Sequence, residues 1–506
     1  MFIRQKKNKS GSISVQIISK ANSRYKVIQT IGSSLTPDGI SLLVYQAKHT
    51  LSGLQKQSSL FVSEDDASIE SFLNTLHNAQ ISVIGPELIF GKIYNAIGFN
   101  VIKEDLFRHL VISRLAFPLS KLKTIDYLYR YQGIRLNINT VYRFLDRLNS
   151  ELKQQVEQIA YQHTLKVLKN KVTVVFYDMT TLYFEASDED DLRKTGFSKE
   201  GKHQNPQIYL GLLVSLGGYV IGYDIFEGSI YEGHTLIPVI EKLSKKFNLS
   251  KPIVVADAGL LSSENMSALE QDNYEYILGA RIKGESNQIK QQILAATLND
   301  GEHRVIEKQD GKLIVAYSAN RARKDSHNRK RGLQRLEKQI KSGKLTKSNI
   351  NNKGYNKYLK MKGEVTIEID YNKYEQDAPW DGLKGYITNA SLPPDQIIDN
   401  YKNLWQIEKA FRMSKTDLRI RPIYHRLAQR IEAHICVSFT AYAIYKELER
   451  ILYKANAPFS VKRAAELTQN MYQLKVVLPK SQKLKTILLK MDEHQTLLTK
   501  IIDENY

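Results

Sequence analysis

The chain has 506 residues, too many for one compact core, so roughly two to four domains are expected. Its 73 lysines and arginines exceed its 53 aspartates and glutamates, and the net charge of +20 favours a polyanionic partner such as nucleic acid, with generic solubility charge as the alternative. The single cysteine, Cys436, excludes an internal disulfide and a cysteine-based zinc site, while the lack of an apolar signal core and of any run of about 18 apolar residues predicts a cytoplasmic protein without membrane contact.

The first predicted region, residues 1–84, is basic and strand-rich. The segments SISVQIIS and RYKVIQTIGSS have the pattern of a small hairpin, which follows a basic N-terminal arm. The bases of this arm are Arg4, Lys6, Lys7 and Lys9. A frayed, solvated tail is an equal alternative for the start of the chain.

Residues 85–168 are predicted to be helical and to resemble a helix-turn-helix that binds DNA. Two amphipathic segments flank Gly133, and Asn137 or Asn139 can cap the second segment. Plain bundle packing is the competing interpretation, because most helix–glycine–helix patterns are of that kind. The outward-facing bases expected to contact DNA are Arg143 and Arg147.

Strands dominate residues 169–285, where a mixed α/β sheet is predicted. The runs VTVVFYDMT (172–180) and PIVVAD (252–257) have the apolar composition of buried strands. A Gly-Gly pair at 217–218 separates two further strand-like runs as in a hairpin, and helical segments alternate with the later strands.

Residues 286–385 are predicted to form a basic, β-rich insertion. Between 321 and 347, eleven bases stand against two acids, so +9 of the chain's net charge falls there. This density favours an exposed phosphate-binding surface that includes Arg329, Lys330 and Arg331, with a solvated helix face as the alternative. Helical patterns then return, over 386–450 and in a C-terminal region, 451–506.

Three acidic residues lie where a metal-dependent enzyme acting on nucleic acid needs them. Asp178 lies inside the first apolar run, Asp257 ends the second, and Glu408 lies in YKNLWQIEKAFRMSK (401–415), which has helical spacing. Divalent cations that handle phosphates prefer oxygen ligands, and two such ions can activate the attacking and leaving oxygens of an in-line displacement. The three carboxylates are therefore predicted to meet at one catalytic, metal-binding point.

A helix over 401–415 would place a phenol and two cations on the same stripe as this glutamate. Tyr401 and Lys415 lie seven positions before and after Glu408, and Arg412 lies four positions after it. This set suits a site where a metal meets a phosphate. An ordinary salt-bridged helix is an equal alternative.

The same stretch resembles the Y-(2)-R-(3)-E-(6)-K signature of the IS4-type insertion-sequence transposases. Tyr401, Glu408 and Lys415 match it in register, and Leu404 stands where the signature has arginine. The stretches DMTTLYFE, FEGSIYEGHTL, VVADAGLLSSENMSAL and FRMSK followed by RPIYH resemble the IS1634-like group of that superfamily. The resemblance extends from the N-terminal strands to about residue 450.

The resemblance implies a DDE transposase with an α/β, RNase H-like catalytic core, formed by 169–285 and 386–450 and interrupted by the β-rich insertion. It implies that Asp178, Asp257 and Glu408 are ligands of two Mg²⁺ ions, with Mn²⁺ able to substitute. Such ions activate water for the first nick and then the freed 3′-hydroxyl, which is finally joined to target DNA.

In such relatives the signature tyrosine, arginine and lysine contact phosphates near the transposon end. Tyr401 and Lys415 carry that role over, and Arg412 is a candidate for the missing arginine. Trp405 could stack on an unpaired base, as could Trp380, with packing roles as the alternative. The implied partners are the terminal inverted repeats and target DNA, bound by a homodimer in a bacterial nucleoid.

Two other functions stay open. A transposon-derived DNA-binding protein that no longer cleaves is kept open by Leu404, although all three carboxylates are present. An RNase H-like structure-specific nuclease is disfavoured by the large basic insertion and the separate N-terminal region, because a simple nuclease needs neither.

Overall fold

The computed structural model describes residues 1–21, 24–54, 64–199, 201–260, 262–295, 297–308, 311–362, 366–478 and 481–506. The chain divides into two compact units, Met1–Gln80 with Leu474–Ile487 and Ile81–Gln473 with Leu488–Tyr506. Within the described ranges, no helix is both long enough and apolar enough to span a bilayer.

The smaller unit is built on an antiparallel sheet of three strands, β1 (Phe2–Lys7), β2 (Ile13–Ala21) and β3 (Arg24–Ser34). The expected hairpin is β2 with β3, and the expected basic arm is the strand β1. Two helices follow that strand patterning did not predict: α1 (Pro37–Leu54) and α2 (Glu64–Leu73). Helix α1 covers the sheet by packing Ala47 with Val15 and Ile17.

The larger unit begins with one short strand and five helices: β4 (Ile81–Val83), α3 (Lys92–Ile97), α4 (Asp105–Ala116), α5 (Lys121–Gln132), α6 (Ile138–Arg147) and α7 (Lys153–Val167). Gly133 ends α5 at a φ of 70°, which glycine adopts without strain, and the Asn137 side chain caps α6 by accepting from the Asn139 N–H. The glycine break and the cap thus lie where the sequence indicates. That the pair reads DNA stays a prediction.

Helix α5 buries only one of its two leucines. Leu122 is 65 % exposed, whereas Lys121, Thr124 and Leu128 are buried. These three share one stripe of a helix at spacings of three and four, so the core selects that stripe although it begins with a lysine.

The centre of the larger unit is a mixed sheet with helical crossovers. Its first elements are β5 (Val174–Tyr183), β6 (Gln207–Ser215), β7 (Val220–Glu227), α8 (Leu236–Phe247), β8 (Ile253–Ala256), α9 (Ser263–Gln271) and β9 (Tyr276–Ala280). Strands β5, β6 and β7 are antiparallel neighbours, while β8 pairs in parallel with both β5 and β9. Every residue of β6 is buried, which explains its continuous apolar sequence, since helices cover both faces of such a sheet.

The segment predicted as a β-rich insertion has a different composition. It contains α10 (Asn287–Leu294), β10 (His303–Lys308), β11 (Gly311–Tyr317), α11 (Ala319–Lys341), β12 (Leu359–Lys362), β13 (Thr366–Ile369), α12 (Tyr371–Gln376) and β14 (Leu383–Thr388). Its largest element is the 23-residue helix α11, so the prediction of a mainly β insertion is wrong in this part.

Nor are the strands of this segment a separate sheet. The central sheet has the order β10-β11-β14-β9-β8-β5-β6-β7, so three strands of the predicted insertion extend it. Among the described strands of the segment, only β12 and β13 form a separate, two-stranded sheet. Leu336 of α11 packs with Tyr358, Leu359 and Ile369 in a small hydrophobic cluster beside these two strands.

The remaining elements are α13 (Pro394–Lys402), α14 (Trp405–Arg412), α15 (Ala428–Lys454), α16 (Val461–Thr468), β15 (Tyr472–Val477), β16 (Leu484–Leu488) and α17 (Glu493–Asn505). The prediction of a purely helical region at 451–506 is wrong at β15 and β16. The 27-residue helix α15 is buried along most of its length, and burial raises the pKa of its Cys436 thiol to about 12, as expected for an inert cysteine.

Glu447 is the buried acid that ties the end of α15 to its neighbours. Its carboxylate accepts two hydrogen bonds from Arg450, at 2.6 and 2.9 Å, and a third from the Tyr506 hydroxyl. Burial alone would raise the pKa of Glu447, but the hydrogen bonds from Arg450, His163 and Tyr506 outweigh it and lower the pKa to about 2.

We expect Glu447→Gln to lower the free energy of unfolding by about 3 kcal/mol at pH 7, because it leaves Arg450 without its buried partner. Since the folded pKa lies below that of the unfolded chain, this contribution is present above about pH 4.5 and is lost as the pH falls towards 2. Urea unfolding at pH 7 and pH 3 measures both effects. The half-exposed Glu466→Gln is the control, and an equal loss at both pH values would contradict this account.

Candidate active site

The pairing of two parallel strands places the first two predicted carboxylates side by side. In the register of β5 and β8, Tyr177 lies opposite Ala256, and each is followed by an aspartate, Asp178 and Asp257. Neighbouring strands are about 4.8 Å apart, and paired positions point to the same face of the sheet. The two aspartates therefore share one face where β8 ends.

Asp178 is half-buried and holds a proton unusually well. Burial raises its pKa to about 6, and the negative charges of Glu232 and Asp257 act in the same direction. Opposing them, Lys199 lies 3.8 Å from the carboxylate, and the Met179 N–H donates to it at 2.7 Å. The raised pKa shows that these donors compensate only part of the cost of burying the charge.

Asp257 is exposed at its strand end and is held by a tyrosine. The Tyr401 hydroxyl donates to its carboxylate at 2.8 Å. Tyr401 itself is buried, and its pKa is raised by burial and then by the charge of Asp257, with a smaller contribution from Glu408. Gly279 permits this approach, because a Cβ there would lie 2.4 Å from the tyrosine hydroxyl oxygen.

Glu408 lies on a separate helix from Tyr401. Helix α13 ends at Lys402, α14 begins at Trp405, and the chain continues from 413 to 417 as a π-helical turn, so the prediction of one continuous helix is wrong. Glu408 lies in the first turn of α14 and is exposed. A carboxylate there interacts favourably with the helix dipole.

Lys384 of β14 connects the second and third carboxylates electrostatically. Burial lowers its pKa and Arg321 lowers it further, whereas the charges of Asp257 and Glu408 raise it. Its amino group also lies 4.3 Å from the centre of the Tyr401 ring, a cation–π distance. Lys384 is thus within electrostatic range of both acids.

Lys415 lies beside the first carboxylate. Its amino group donates to the Thr180 hydroxyl at 2.5 Å, so Thr180 and Asp178 share one strand face, as their spacing predicts. Burial lowers the pKa of Lys415 to about 8, the nearby Lys199 lowers it as well, and Asp178 opposes this. Two lysines therefore lie around one aspartate, an arrangement that favours binding of a further anion.

The other residues of the signature region differ in exposure. Arg412 and Trp405 are exposed, and the Trp405 ring lies 5.5 Å from the Lys409 amino group. Leu404 is buried at the junction of α13 and α14. Trp380 is partly buried against the core, with Lys283 above its ring.

A cleft of about 590 Å³ opens beside Asp257 and Tyr401. Trp380 lines it together with six bases, which include Lys384 and Arg321, and four acids, which include Asp257, so its walls carry a net positive charge. A phosphate backbone is a suitable occupant of such a space.

The predicted basic surface is only partly present. Lys330 and Arg331 are exposed on α11, as expected. Arg329 is instead largely buried against the Tyr374 ring and pairs with Asp381 at 2.8 Å, so the prediction that it is exposed is wrong. Its ion pair holds the helix against the chain before β14.

The arginines predicted to contact DNA from α6 are both exposed. Arg147 pairs with Glu104 at 2.6 Å, and its guanidinium lies over the Phe144 ring. An exposed pair of this kind contributes little to stability, so it leaves the guanidinium available for another anion.

Among the residues that the structure describes, no three His, Cys, Asp or Glu side chains are arranged to hold a metal ion. The donor set still suits a divalent cation, since it consists of carboxylates and the charge of one of them, the half-buried Asp178, is only partly compensated. Tyr401 and Lys199 presently engage Asp257 and Asp178, so a cation would compete with these two donors.

Sequence patterning missed three residues of the site. Lys199 and Glu232 form an ion pair of 2.5 Å beside Asp178, and Lys384 contacts Tyr401. Glu232 lies in FEGSIYEGHTL, a stretch singled out for its resemblance, so its motif was the available signal. Lys199 lies in a polar segment and Lys384 in a strand-like segment, and neither segment contains a motif that indicates a functional site.

The family model of the transposase DDE domain matches residues 169–444, which is more than half of the chain. The chain therefore belongs to the transposase DDE domain family. The chain has no significant match among curated protein sequences. The solved structure of the piggyBac transposase synaptic complex with hairpin DNA is 9 % identical, with a TM-score of 0.39 over 76 % of this chain and 78 % of that one. The Mos1 transposase paired-end complex with left transposon end is 14 % identical, with a TM-score of 0.16 over 36 % and 57 %.

We expect Gly279→Ala to break the hydrogen bond between Tyr401 and Asp257, because the added Cβ meets the hydroxyl at 2.4 Å and the Ala258 nitrogen at 3.0 Å. Such overpacking costs about 1–3 kcal/mol, measurable by urea unfolding. Adding Tyr401→Phe should recover part of the loss, since the clashing oxygen is removed. Gly53→Ala, which meets no atom within 4 Å, is the control. A Gly279→Ala protein of unchanged stability would show that the tyrosine is not held there.

Proposed function

We propose that the chain is an IS4-type DDE transposase, which binds the ends of its element, cleaves DNA and joins the 3′ ends to target DNA. The observation that carries the proposal is the adjacent placement of Asp178 and Asp257 on parallel strands within the segment that matches the transposase DDE domain family. The electrostatic influence of Glu408 on Tyr401, the partner of Asp257, supports it as the third acid.

We further propose that β5 to β9 form an RNase H-like core. The order β7-β6-β5-β8-β9, with the first strand central, antiparallel to the second and parallel to the fourth, supports this assignment. The remaining segment then enters after the fifth strand and precedes the helix of Glu408, as the resemblance implies.

Asp178, Asp257 and Glu408 would hold two Mg²⁺ ions, for which Mn²⁺ could substitute. Such ions, when bound, supply Lewis-acid activation of the attacking and leaving oxygens. The chain's own groups orient the substrate: Lys415 and Lys199 place positive charge beside Asp178, and Tyr401 fixes the position of Asp257. Because Tyr401 is buried behind Asp257, its role is to position that carboxylate.

Leu404, which replaces the signature arginine, is buried and cannot donate to a phosphate. We assign the missing positive charge to Lys384, which lies over the Tyr401 ring and lines the cleft beside Asp257. Arg412 is exposed on the next helix and is the second candidate. The departure at Leu404 therefore does not favour a protein that only binds DNA.

The proposed partners are the terminal inverted repeats and target DNA, bound by a homodimer. The net charge of +20 and the exposed bases of α11 support a polyanionic partner. Trp405, exposed at the start of α14, is available to stack on an unpaired base.

Glu408→Gln tests catalysis apart from binding, because it keeps the size of the side chain and removes its charge. We expect the variant to bind DNA that carries the element's ends while its Mg²⁺-dependent nicking falls at least about a thousand-fold, or about 4 kcal/mol. A nicking assay and an electrophoretic binding assay on the same DNA separate the two. Glu466→Gln should nick normally, and normal nicking by Glu408→Gln would refute the assignment of the third acid.

The exposed bases of α11 are tested by Lys330→Glu combined with Arg331→Glu. We expect DNA binding to weaken and the slope of log K against log salt to decrease by about 2, because each lost phosphate contact removes about 0.9. Fluorescence anisotropy at salt concentrations from about 50 to about 200 mM measures the slope. Lys454→Glu, at the end of α15, is the control. An unchanged slope would show that these two bases of α11 face solvent and do not contact DNA phosphates.

A further inference from the structure

A second cavity, of about 510 Å³, lies between α5, α6, α15 and the segment 419–425, and it is lined by cations. We name it the cationic pocket. Its basic and imidazole residues are Arg114, Lys121, Arg419, Arg421, His425 and His434. No aspartate or glutamate of the described chain lines it.

Two of these cations are buried. Arg114 is 6 % exposed, and among the described residues it donates only to the backbone carbonyls of Leu418 and Arg419, at 3.4 and 3.2 Å. Lys121 is 7 % exposed, and within the described residues it has no ion pair with an acid. Burying an ammonium without a counter-ion is costly, and the pKa of Lys121 is lowered well below its usual value by burial and then by Arg114.

The histidines of the pocket are also buried. His434 donates from Nε2 to the Ile420 carbonyl at 2.8 Å, and its buried Nδ1 has no hydrogen-bond partner among the described residues. Burial lowers the pKa of His425 to about 3, the charges of Lys121, Arg430 and Arg114 lower it as well, and Asp146 opposes them. Asp146 is engaged by Arg430 at 2.8 Å, so it does not neutralise the pocket.

The pocket also receives the start of a helix. Ser120 caps α5 by accepting from the Lys123 N–H, and Ser120 and Lys121 both line the cavity. The N-terminus of a twelve-residue helix adds positive potential to that of the side chains. The helix start and the two buried cations together describe a site whose counter-ion is a ligand.

We propose that the cationic pocket binds a phosphate of DNA, away from the three carboxylates. Arg421 lies 5.8 Å from the Tyr183 ring at the end of β5, five residues beyond Asp178. At about 3.3 Å per residue this is about 17 Å along the strand, or about five steps of a DNA duplex at 3.4 Å each. One bound DNA segment can therefore reach both places.

The rim of the pocket suits a nucleotide. Tyr424 and Leu122 line the cavity and are 68 % and 65 % exposed, so an aromatic and an apolar side chain lie beside the proposed phosphate. Aromatic side chains beside a positively charged groove are typical of sites that hold a nucleic-acid strand. This inference rests on the proposed function, because it takes DNA as the source of the phosphate.

Lys121→Met tests the site, with Lys123→Met, an exposed change on the same helix, as the matched control. In thermal unfolding of the full chain, inorganic phosphate should raise the melting temperature of the parent and control above that in chloride at equal ionic strength, and it should not raise that of Lys121→Met. In chloride, Lys121→Met should be more stable than the parent, since an uncompensated buried charge is gone. A purely structural lysine predicts the reverse, a less stable variant with an unchanged response to phosphate, and that result overturns the site.

The salt dependence of binding to a DNA duplex of about 30 bp tests whether the phosphate comes from DNA. The slope should decrease by about 1 for Lys121→Met, because one phosphate contact is lost. Arg419→Gln, which removes an exposed guanidinium and leaves the core intact, should decrease it in the same direction. An unchanged slope in both variants, with a normal response to inorganic phosphate, would assign the pocket to a free anion and overturn the DNA proposal.

These outcomes are independent of catalysis. If the parent protein bound DNA with the expected dependence on Lys121 but did not nick it, the proposed transposase activity would fail and the pocket would stand. If it nicked DNA normally while Lys121→Met had an unchanged slope and an unchanged response to phosphate, the pocket alone would fail.

Discussion

The parallel pairing of β5 with β8 is the constraint on which the site depends. It brings residues 178 and 257, which are 79 positions apart in the sequence, to neighbouring positions on one face of the sheet. Parallel strands require a crossover connection, and here the chain between them supplies two antiparallel strands and helix α8. Two later helices pack on the paired strands: α13, which carries Tyr401, on β8, and α14, which carries Glu408, on β5.

Charge balance explains why the carboxylates tolerate each other. Asp178 has a raised pKa because burial and neighbouring acids outweigh its donors, whereas Lys199, Lys384 and Lys415 surround the group of acids with positive charge. Burial lowers the pKa of Lys415 for the same reason that it raises that of Asp178, since both charged forms lose hydration. A site in which acids and bases are both under-compensated can accept a cation and an anion together, as a reaction on phosphate requires.

The sequence was sufficient for the parts of the fold that depend on local pattern. The apolar runs ending near Asp178 and Asp257 are strands, and Gly133 and Asn137 punctuate α5 and α6, because backbone conformation there depends on the residue type itself. The prediction of one continuous helix over 401–415 was wrong, and the spacing of the residues there gives no sign of the break. The apolar stripe of Leu404 and Ile407 persists across the break, so periodicity alone does not reveal it.

The failures in the basic segment have a different cause. Arg329 has the same chemistry and nearly the same surroundings in sequence as Lys330, yet its partner, Asp381, lies 52 positions away. Which base of a cationic run is used for structure depends on such distant acids, and only the fold shows them. The same holds for Lys199 and Lys384, which become parts of the site through strand order and not through any local motif.

The two cationic regions of the larger unit differ in a way that bears on their roles. Around the carboxylates every base is within reach of an acid, as Lys199 is of Glu232 and Lys384 is of Asp257. In the cationic pocket the buried Lys121 and Arg114 face no acid of the described chain. An unpaired buried charge destabilises a fold, and a bound anion would offset that cost. The proposed ligand of the pocket is therefore an anion alone, whereas the carboxylate site, in which acids and bases are both under-compensated, can accept a cation and an anion together.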